Sequence, residues 1–346
     1  MNHRRTVDAG NGALVARRLK SANVVPTRVA PSLERLLAEL LSKEVESVTV
    51  VRSRYSTSFP IDDVTVHLCD GSRLDLVRKD LSWASLLPPA HRGKPAFLYD
   101  PRREMRLYME VLSAAPPGTA RCHGVLDDPG AGTRWLFLER LEGVELYQVG
   151  DLARWQAAAA WAAHLHVRFE GQVGALLQAG IPLLVHDRDW LQRWAERAVA
   201  GATRTNARVL RHLRSRTGVL WARLAGLPTT LVHGELYASN VIVGPPGPEP
   251  RVSPVDWEMA AAAPGLIDLA ALTAGNWPPH ERRSLESAYA CAAGRPVDEL
   301  FDAQLNACRL ALCIQWLGWR PRWRAPREHT FDWLGEALVL VERLEL

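Results

Sequence analysis

Leu231-Val232-His233-Gly234-Glu235-Leu236-Tyr237-Ala238-Ser239-Asn240-Val241-Ile242-Val243 is the stretch whose reading decides the fold. After the Pro/Gly-rich turn over 244–250 it is followed by Val252-Ser253-Pro254-Val255-Asp256-Trp257-Glu258. Short apolar runs flank a polar loop, a pattern that predicts strand, loop, strand. The loop carries Glu235 and Asn240, and the next strand ends at Asp256. The spacing predicts that a carboxylate, a carboxamide and a second carboxylate meet at one end of a small sheet.

Such a trio suits phosphoryl transfer, which asks a protein for positioning and charge neutralisation rather than covalent chemistry. Mg²⁺ takes oxygen ligands, commonly one or two carboxylates with phosphate oxygens and water. Asn240 and Asp256 are the candidate metal ligands and Glu235 the candidate catalytic base. Glu235 precedes Asn240 by five positions, the spacing at which protein kinases carry their catalytic base and metal-binding Asn. His233 is read as a hydrogen-bonded structural residue.

The loop resembles the His-Gly-Asp-x-x-x-x-Asn loop of the aminoglycoside phosphotransferase and choline kinase family. Asp256-Trp257-Glu258 resembles that family's metal-binding motif, and Gly265-Leu266-Ile267-Asp268-Leu269 the Gly-x-x-Asp element that follows it. The resemblance implies an α+β, protein-kinase-like fold of two lobes, the N-lobe small and β-rich, the C-lobe large and mostly helical. It also implies an ATP- and Mg²⁺-dependent kinase of a small-molecule hydroxyl, with GTP left open as donor. One position departs: Glu235 stands where the family has Asp. The added methylene moves the carboxylate out by roughly 1 Å, and a shift of that order can cost about 10²-fold in rate. A kinase-like nucleotide-binding protein with lost or repurposed transfer is the alternative reading.

Upstream, Pro31 to Val45 predicts an amphipathic helix, with Leu33, Leu36, Leu37, Leu40 and Leu41 at helical spacing. Val48 to Lys79 reads as three strands, the last two joined at the hairpin signal Asp70-Gly71. The resemblance assigns Ser56, Thr57 and Ser58 to the loop over the nucleotide phosphates, although this turn lacks the usual glycines. It assigns Lys79 to the phosphates as well. Arg78 is the competitor, and strand alternation gives the two side chains opposite faces. Glu104, in the helix predicted over Pro101 to Ser113, is the implied partner of Lys79. Trp135 to Leu138 reads as a buried strand leading into a hinge at Glu139 to Leu141, whose backbone would read the nucleotide base.

Three parts are predicted: a basic tail over 1–22, the N-lobe over 23–142 and the C-lobe over 143–346. Asp151 to Phe169 predicts a buried helix in which His164 and His166 are core or helix-end histidines. Asp187 to Leu224 predicts one or two long helices. Three more follow Asp268, over Pro279 to Ala293, Val297 to Leu317 and Arg327 to Leu346. The resemblance implies that these last helices build the acceptor pocket. Their acids (Glu281, Asp298, Glu299, Asp302, Glu328, Asp332) are mixed with many Arg, among them Arg282, Arg283, Arg309, Arg320, Arg322, Arg324 and Arg327. That balance argues against a polycationic acceptor and suits a neutral or anionic one. Trp316, Trp319, Trp323 and Trp333 are read first as helix-packing residues.

At 346 residues the chain is long enough for two lobes. A net charge of +4, gathered largely in the N-terminal tail, gives no nucleic-acid footprint. Five Cys without a Cys-x-x-Cys indicate neither a disulfide framework nor a zinc site. No apolar run reaches the roughly 20 residues of a membrane span, and no leader-like apolar segment opens the chain. A cytoplasmic location is the expectation.

Overall fold

The computed structural model describes residues 32–56, 58–245, 251–319 and 331–346. The basic tail, Thr57, Trp323 and the arginines from Arg320 to Arg327 lie outside the described residues.

Helix α1 (Leu33–Leu41) is capped by the Ser32 hydroxyl, which accepts the Arg35 N–H. Its apolar stripe of Leu36, Leu37 and Leu40 packs with Val64, Val66, Leu68, Leu76, Leu126 and Phe137. These belong to an antiparallel sheet of β1 (Val45–Arg52), β2 (Ile61–Leu68), β3 (Arg73–Asp80), β4 (Cys122–Asp128) and β5 (Thr133–Glu139), in the order β1-β2-β3-β5-β4. Gly71 forms the β2–β3 turn with φ +80°, the left-handed region open to glycine. Strand β4 was not foreseen. Its sequence, Cys-His-Gly-Val-Leu-Asp-Asp, breaks alternation at a register shift between Cys122 and Gly124.

Between β3 and β4 run α2 (Pro88–Gly93) and α3 (Pro101–Arg106). Asp100 caps α3 through the Arg102 N–H, and Pro101 fits its first turn. The helix predicted to Ser113 loosens at Leu107–Val111 into a π-helical turn. Turns of this kind cluster near functional sites.

Past β5 the chain is mostly helical. Short β6 (Val144–Glu145) leads to α4 (Leu152–Phe169), capped by Asp151, and to α5 (Val173–Gln178). Then come β7 (Leu184–Val185), α6 (Arg188–Ala200) and α7 (Ala207–Leu224), so the predicted long segment is two helices. The critical stretch supplies β8 (Thr229–Val232), β9 (Val241–Val243) and β10 (Val252–Pro254), followed by β11 (Ala261–Pro264). The described residues then supply α8 (Leu266–Leu272), α9 (Pro279–Ala292), α10 (Glu299–Trp319) and α11 (Trp333–Arg343).

One expectation is corrected here. The strands flanking the polar loop do not share a sheet. β8 pairs with β11 in the sheet β7-β11-β8, whereas β9 pairs with β10 in β10-β9-β6. The loop therefore bridges two small sheets. Gly234, at φ +85°, turns the chain out of the first, and the 3₁₀ turn Ala238–Asn240 brings it into the second.

Candidate active site

Strand alternation separates Lys79 from Arg78. Arg78 forks onto Asp62 at 2.6 and 3.0 Å and lies over the Trp135 ring, 4.6 Å from its centroid. Lys79 faces the other way and is buried. Its Nζ sits 2.7 Å from both carboxylate oxygens of Glu104 and 2.7 Å from Oδ1 of Asp256. Burial disfavours the ammonium charge, but the two carboxylates outweigh it and hold the Lys79 pKa above its ordinary value. Burial also makes Asp256 harder to ionise, yet Lys79 holds its pKa below the usual carboxylate range. Glu104 is fully enclosed; burial raises its pKa, and Lys79 opposes the rise.

Asp256 itself has φ 68° and ψ 62°. Asp tolerates this left-handed conformation better than most residues. The bend carries the chain from β10 into the turn Trp257–Met259, and the Trp257 N–H returns to Oε1 of Glu104 at 3.2 Å.

The Glu235 loop is fixed from three sides. Asp268, completely buried on α8, accepts the backbone N–H groups of His233 (2.7 Å) and Gly234 (2.9 Å). His166 brings Nε2 to the same carboxylate at 3.1 Å and Nδ1 to the Tyr289 hydroxyl at 2.9 Å. His233 spans the loop, with Nε2 2.9 Å from the Val255 carbonyl and Nδ1 receiving the Glu235 N–H at 3.3 Å. Those partners define an Nε2–H tautomer, and burial lowers the pKa of the ring. Asn240 donates from its side chain to the Glu235 carbonyl at 2.9 Å, and its own carbonyl accepts the Val255 N–H at 2.9 Å. Asn240 and Asp256 are thereby tied through adjacent backbone.

Glu235 is half-buried. Among the described residues no hydrogen bond or ion pair reaches its carboxylate. Burial, with Glu258 and Asp256 nearby, pushes its pKa up to about 8. Two members of this neighbourhood were not foreseen. Lys94, just past α2, pairs with Glu258 at 2.5 Å and lies 5.3 Å from the centroid of the Phe59 ring. Arg103 donates to the carbonyls of Pro182, Leu98 and Glu258. Glu258 was visible in Asp256-Trp257-Glu258, whereas His91-Arg92-Gly93-Lys94 carries no pattern that marks Lys94.

The remaining candidates spread further. The Ser56 hydroxyl closes the β1–β2 turn, donating to Ser53 O and accepting the Ile61 N–H at 2.9 Å. Ser58 Oγ lies 3.4 Å from Glu258. The Glu139 carboxylate pairs with Arg251 at 2.9 and 3.0 Å, and its N–H is committed to Arg121 O. The backbone of Leu141, two residues on, makes no hydrogen bond among the described residues. His164 is exposed.

Comparison with known proteins now decides the family. Residues 91–303 match the phosphotransferase enzyme family, APH. The chain belongs to that family. Among solved structures, the fold is similar to that of a Ralstonia eutropha protein provisionally assigned as an aminoglycoside phosphotransferase, with TM-score 0.59, 14% identity and coverage of 90% of this chain and 95% of that one. It is similar to the Plasmodium vivax ethanolamine kinase, with TM-score 0.56, 12% identity and coverage of 87% and 82%. It is also similar to a variant of aminoglycoside 2'-phosphotransferase-IIIa in complex with GDP, with TM-score 0.54, 13% identity and coverage of 87% and 92%. Among curated proteins none matches the chain. The APH family and these likenesses establish a protein-kinase-like fold with a small antiparallel N-terminal lobe. Among the described residues no helix is long and apolar enough to cross a membrane.

Proposed function

We propose that the chain transfers the terminal phosphoryl group of a purine nucleoside triphosphate, ATP in the first instance, to a hydroxyl of a small molecule. The observation that carries this reading is the position of Lys79, held between Glu104 and Asp256 within 2.7 Å of each. A lysine on a third strand, braced by a helix Glu and adjoining the metal-motif Asp, is the arrangement that grips nucleotide phosphates in kinase-like enzymes.

The acceptor oxygen forms a bond to the terminal phosphorus as the bond from that phosphorus to the bridging oxygen breaks. The hydroxyl proton passes to the Glu235 carboxylate, and the leaving oxygen departs with the nucleoside diphosphate. Glu235 then needs to lie within roughly 2.6–3.2 Å of the acceptor oxygen. With the loose transition state of phosphoryl transfer, orientation by Glu235 matters more than its strength as a base.

The residues fit Mg²⁺. Asn240 spends its amide N–H on Glu235 O, which leaves Oδ1 as an acceptor. Among the described residues no cluster of three or more His, Cys, Asp or Glu is set to hold a metal. A pair of hard oxygen donors that must share the ion with phosphate oxygens suits Mg²⁺. Asn240 and Asp256 would hold the ion, which supplies charge neutralisation across the phosphates when bound.

A second reading has one observation in its favour. With its pKa at about 8, Glu235 is mostly protonated near neutrality, which suits a protein that binds nucleotide without transfer. The test is release of ADP from ATP and Mg²⁺ across a panel of hydroxylated acceptors. Turnover that disappears in Glu235→Gln and in Asp256→Asn supports the kinase. Nucleotide-induced thermal stabilisation without turnover on any acceptor supports the second reading.

A further inference from the structure

Beyond α8 lies a half-open cavity of about 700 Å³, walled by residues 275–279 and by α9, α10 and α11. Four arginines line it: Arg282, Arg283, Arg309 and Arg343. Two are matched. Arg283 forks onto Asp302 at 2.7 and 2.9 Å, and Arg309 reaches Glu286 at 2.5 Å. The other two are not. Arg282 gives one N–H to the Gly275 carbonyl at 2.6 Å, while its buried Nε has no partner among the described residues. Arg343 makes no ion pair or hydrogen bond among the described residues. Among the described residues Glu336 is the lining carboxylate left to face both.

A buried guanidinium N–H without an acceptor is costly. Burial disfavours the Arg282 charge and Arg309 and Arg343 repel it, while Glu336 and Glu286 offset part of that cost. A bound anion would supply the missing acceptors and the missing negative charge together, and two guanidinium groups offer it forked, charge-assisted contacts.

The cavity is connected to the reaction loop through side-chain contacts. Phe331 lines it and meets Trp333 edge-on at 4.9 Å; Trp333 stacks on Trp316 at 4.9 Å. Trp316 in turn donates from Nε1 to the Tyr237 hydroxyl at 2.8 Å, and Tyr237 is two residues from Glu235. An aromatic ladder thus runs from the cavity wall to the candidate base.

We infer that this cavity binds a small molecule through a carboxylate or phosphate group held by Arg282 and Arg343. Two sources share that chemistry: the acceptor itself, in which case the inference deepens the phosphotransferase reading, or a separate ligand.

Calorimetric titration of the full chain with citrate and with inorganic phosphate tests it. Wild type and Lys79→Met bind at least one of these probes, and Arg343→Gln weakens that binding ten-fold or more. Arg343 is exposed on the last turn of α11, so its replacement leaves the fold intact, whereas Arg282→Gln also loses the bond to Gly275. Binding of neither probe below 10 mM, equal binding by wild type and Arg343→Gln, or loss in Lys79→Met alone while that variant still unfolds cooperatively overturns the inference. Kinetics then separate the sources. If the acceptor carries the anion, Arg343→Gln raises KM for a hydroxy acid ten-fold with kcat unchanged, while KM for its neutral amide does not move. If the ligand is separate, both KM values stay and citrate does not compete with the acceptor. Failure of all acceptors to turn over would sink the phosphotransferase reading and leave the calorimetric result standing.

Discussion

Asp268 accepts the backbone N–H of His233 at 2.7 Å from 35 residues further along the chain. Its other oxygen takes the N–H of Gly234, and His166 completes the set. Burial makes this carboxylate harder to ionise, but His166 and His233 outweigh it and hold its pKa below the ordinary 3.8. Asp268→Asn would replace one acceptor oxygen by an NH₂ that faces a donor. Hydrogen bonds to charged groups contribute about 1.5–3 kcal/mol each, so we expect a loss of about 3 kcal/mol in denaturant unfolding, with activity falling in parallel. Because the folded pKa is depressed, the contribution of Asp268 is present above pH 3.8 and declines as the pH falls through the folded value. The variant will lack that acid-side decline.

Lys79→Met leaves Glu104 and Asp256 facing one another without the cation between them. Removing one partner of a buried ion pair costs about 3–5 kcal/mol. The expected result is lower unfolding stability together with at least ten-fold weaker nucleotide binding. Glu104→Gln retains shape and one acceptor, so its stability should fall by less. If Lys79→Met binds ATP as wild type does, Lys79 does not serve the phosphates.

Glu235 should reveal itself through pH. Its folded pKa of about 8 lies above the ordinary 4.5. The folded state therefore keeps a proton that the unfolded state has lost, and stability falls as the pH rises between those values. Glu235→Gln has no such proton. Its Tm should match wild type near pH 4.5, rise above it progressively up to pH 8, and hold that margin beyond. A margin independent of pH would show that Glu235 titrates like an exposed carboxylate.

Gly234→Ala should fail structurally. A Cβ at this position, where φ is +85°, would run into the Met259 carbonyl oxygen. A non-glycine residue in a sparsely populated region costs on the order of 1–3 kcal/mol before any clash. Soluble yield and Tm should both drop, and recovery of wild-type Tm would contradict the close approach of Gly234 to the Trp257–Met259 turn.

The sequence was most informative where local rules and chemistry coincide. Alternation along β3 set Lys79 and Arg78 on opposite faces, and the Pro101 start of α3 located Glu104 on a helix. The periodic leucines of α1 made its buried stripe plain. What stayed hidden depends on long-range approach. The two-sheet setting of the Glu235 loop rests on Asp268 gripping amides 34 and 35 residues away. The Lys94–Glu258 pair spans 164 residues. Ser56 was assigned to the phosphate loop by resemblance, and what its hydroxyl does, closing the β1–β2 turn, depends on the approach of Ile61 and could not be read from the sequence.

Arg103 sits beside Glu104 on α3 and donates to carbonyls from three separate segments, at Leu98, Pro182 and Glu258. Swinging α3 outward would strip a buried guanidinium of all three at once, a cost of several kcal/mol on the scale of about 1.5–3 per charged hydrogen bond. The helix is bolted to both halves of the molecule. Glu104, next along that helix, therefore reaches Lys79 from a mount that is already set before any ligand arrives.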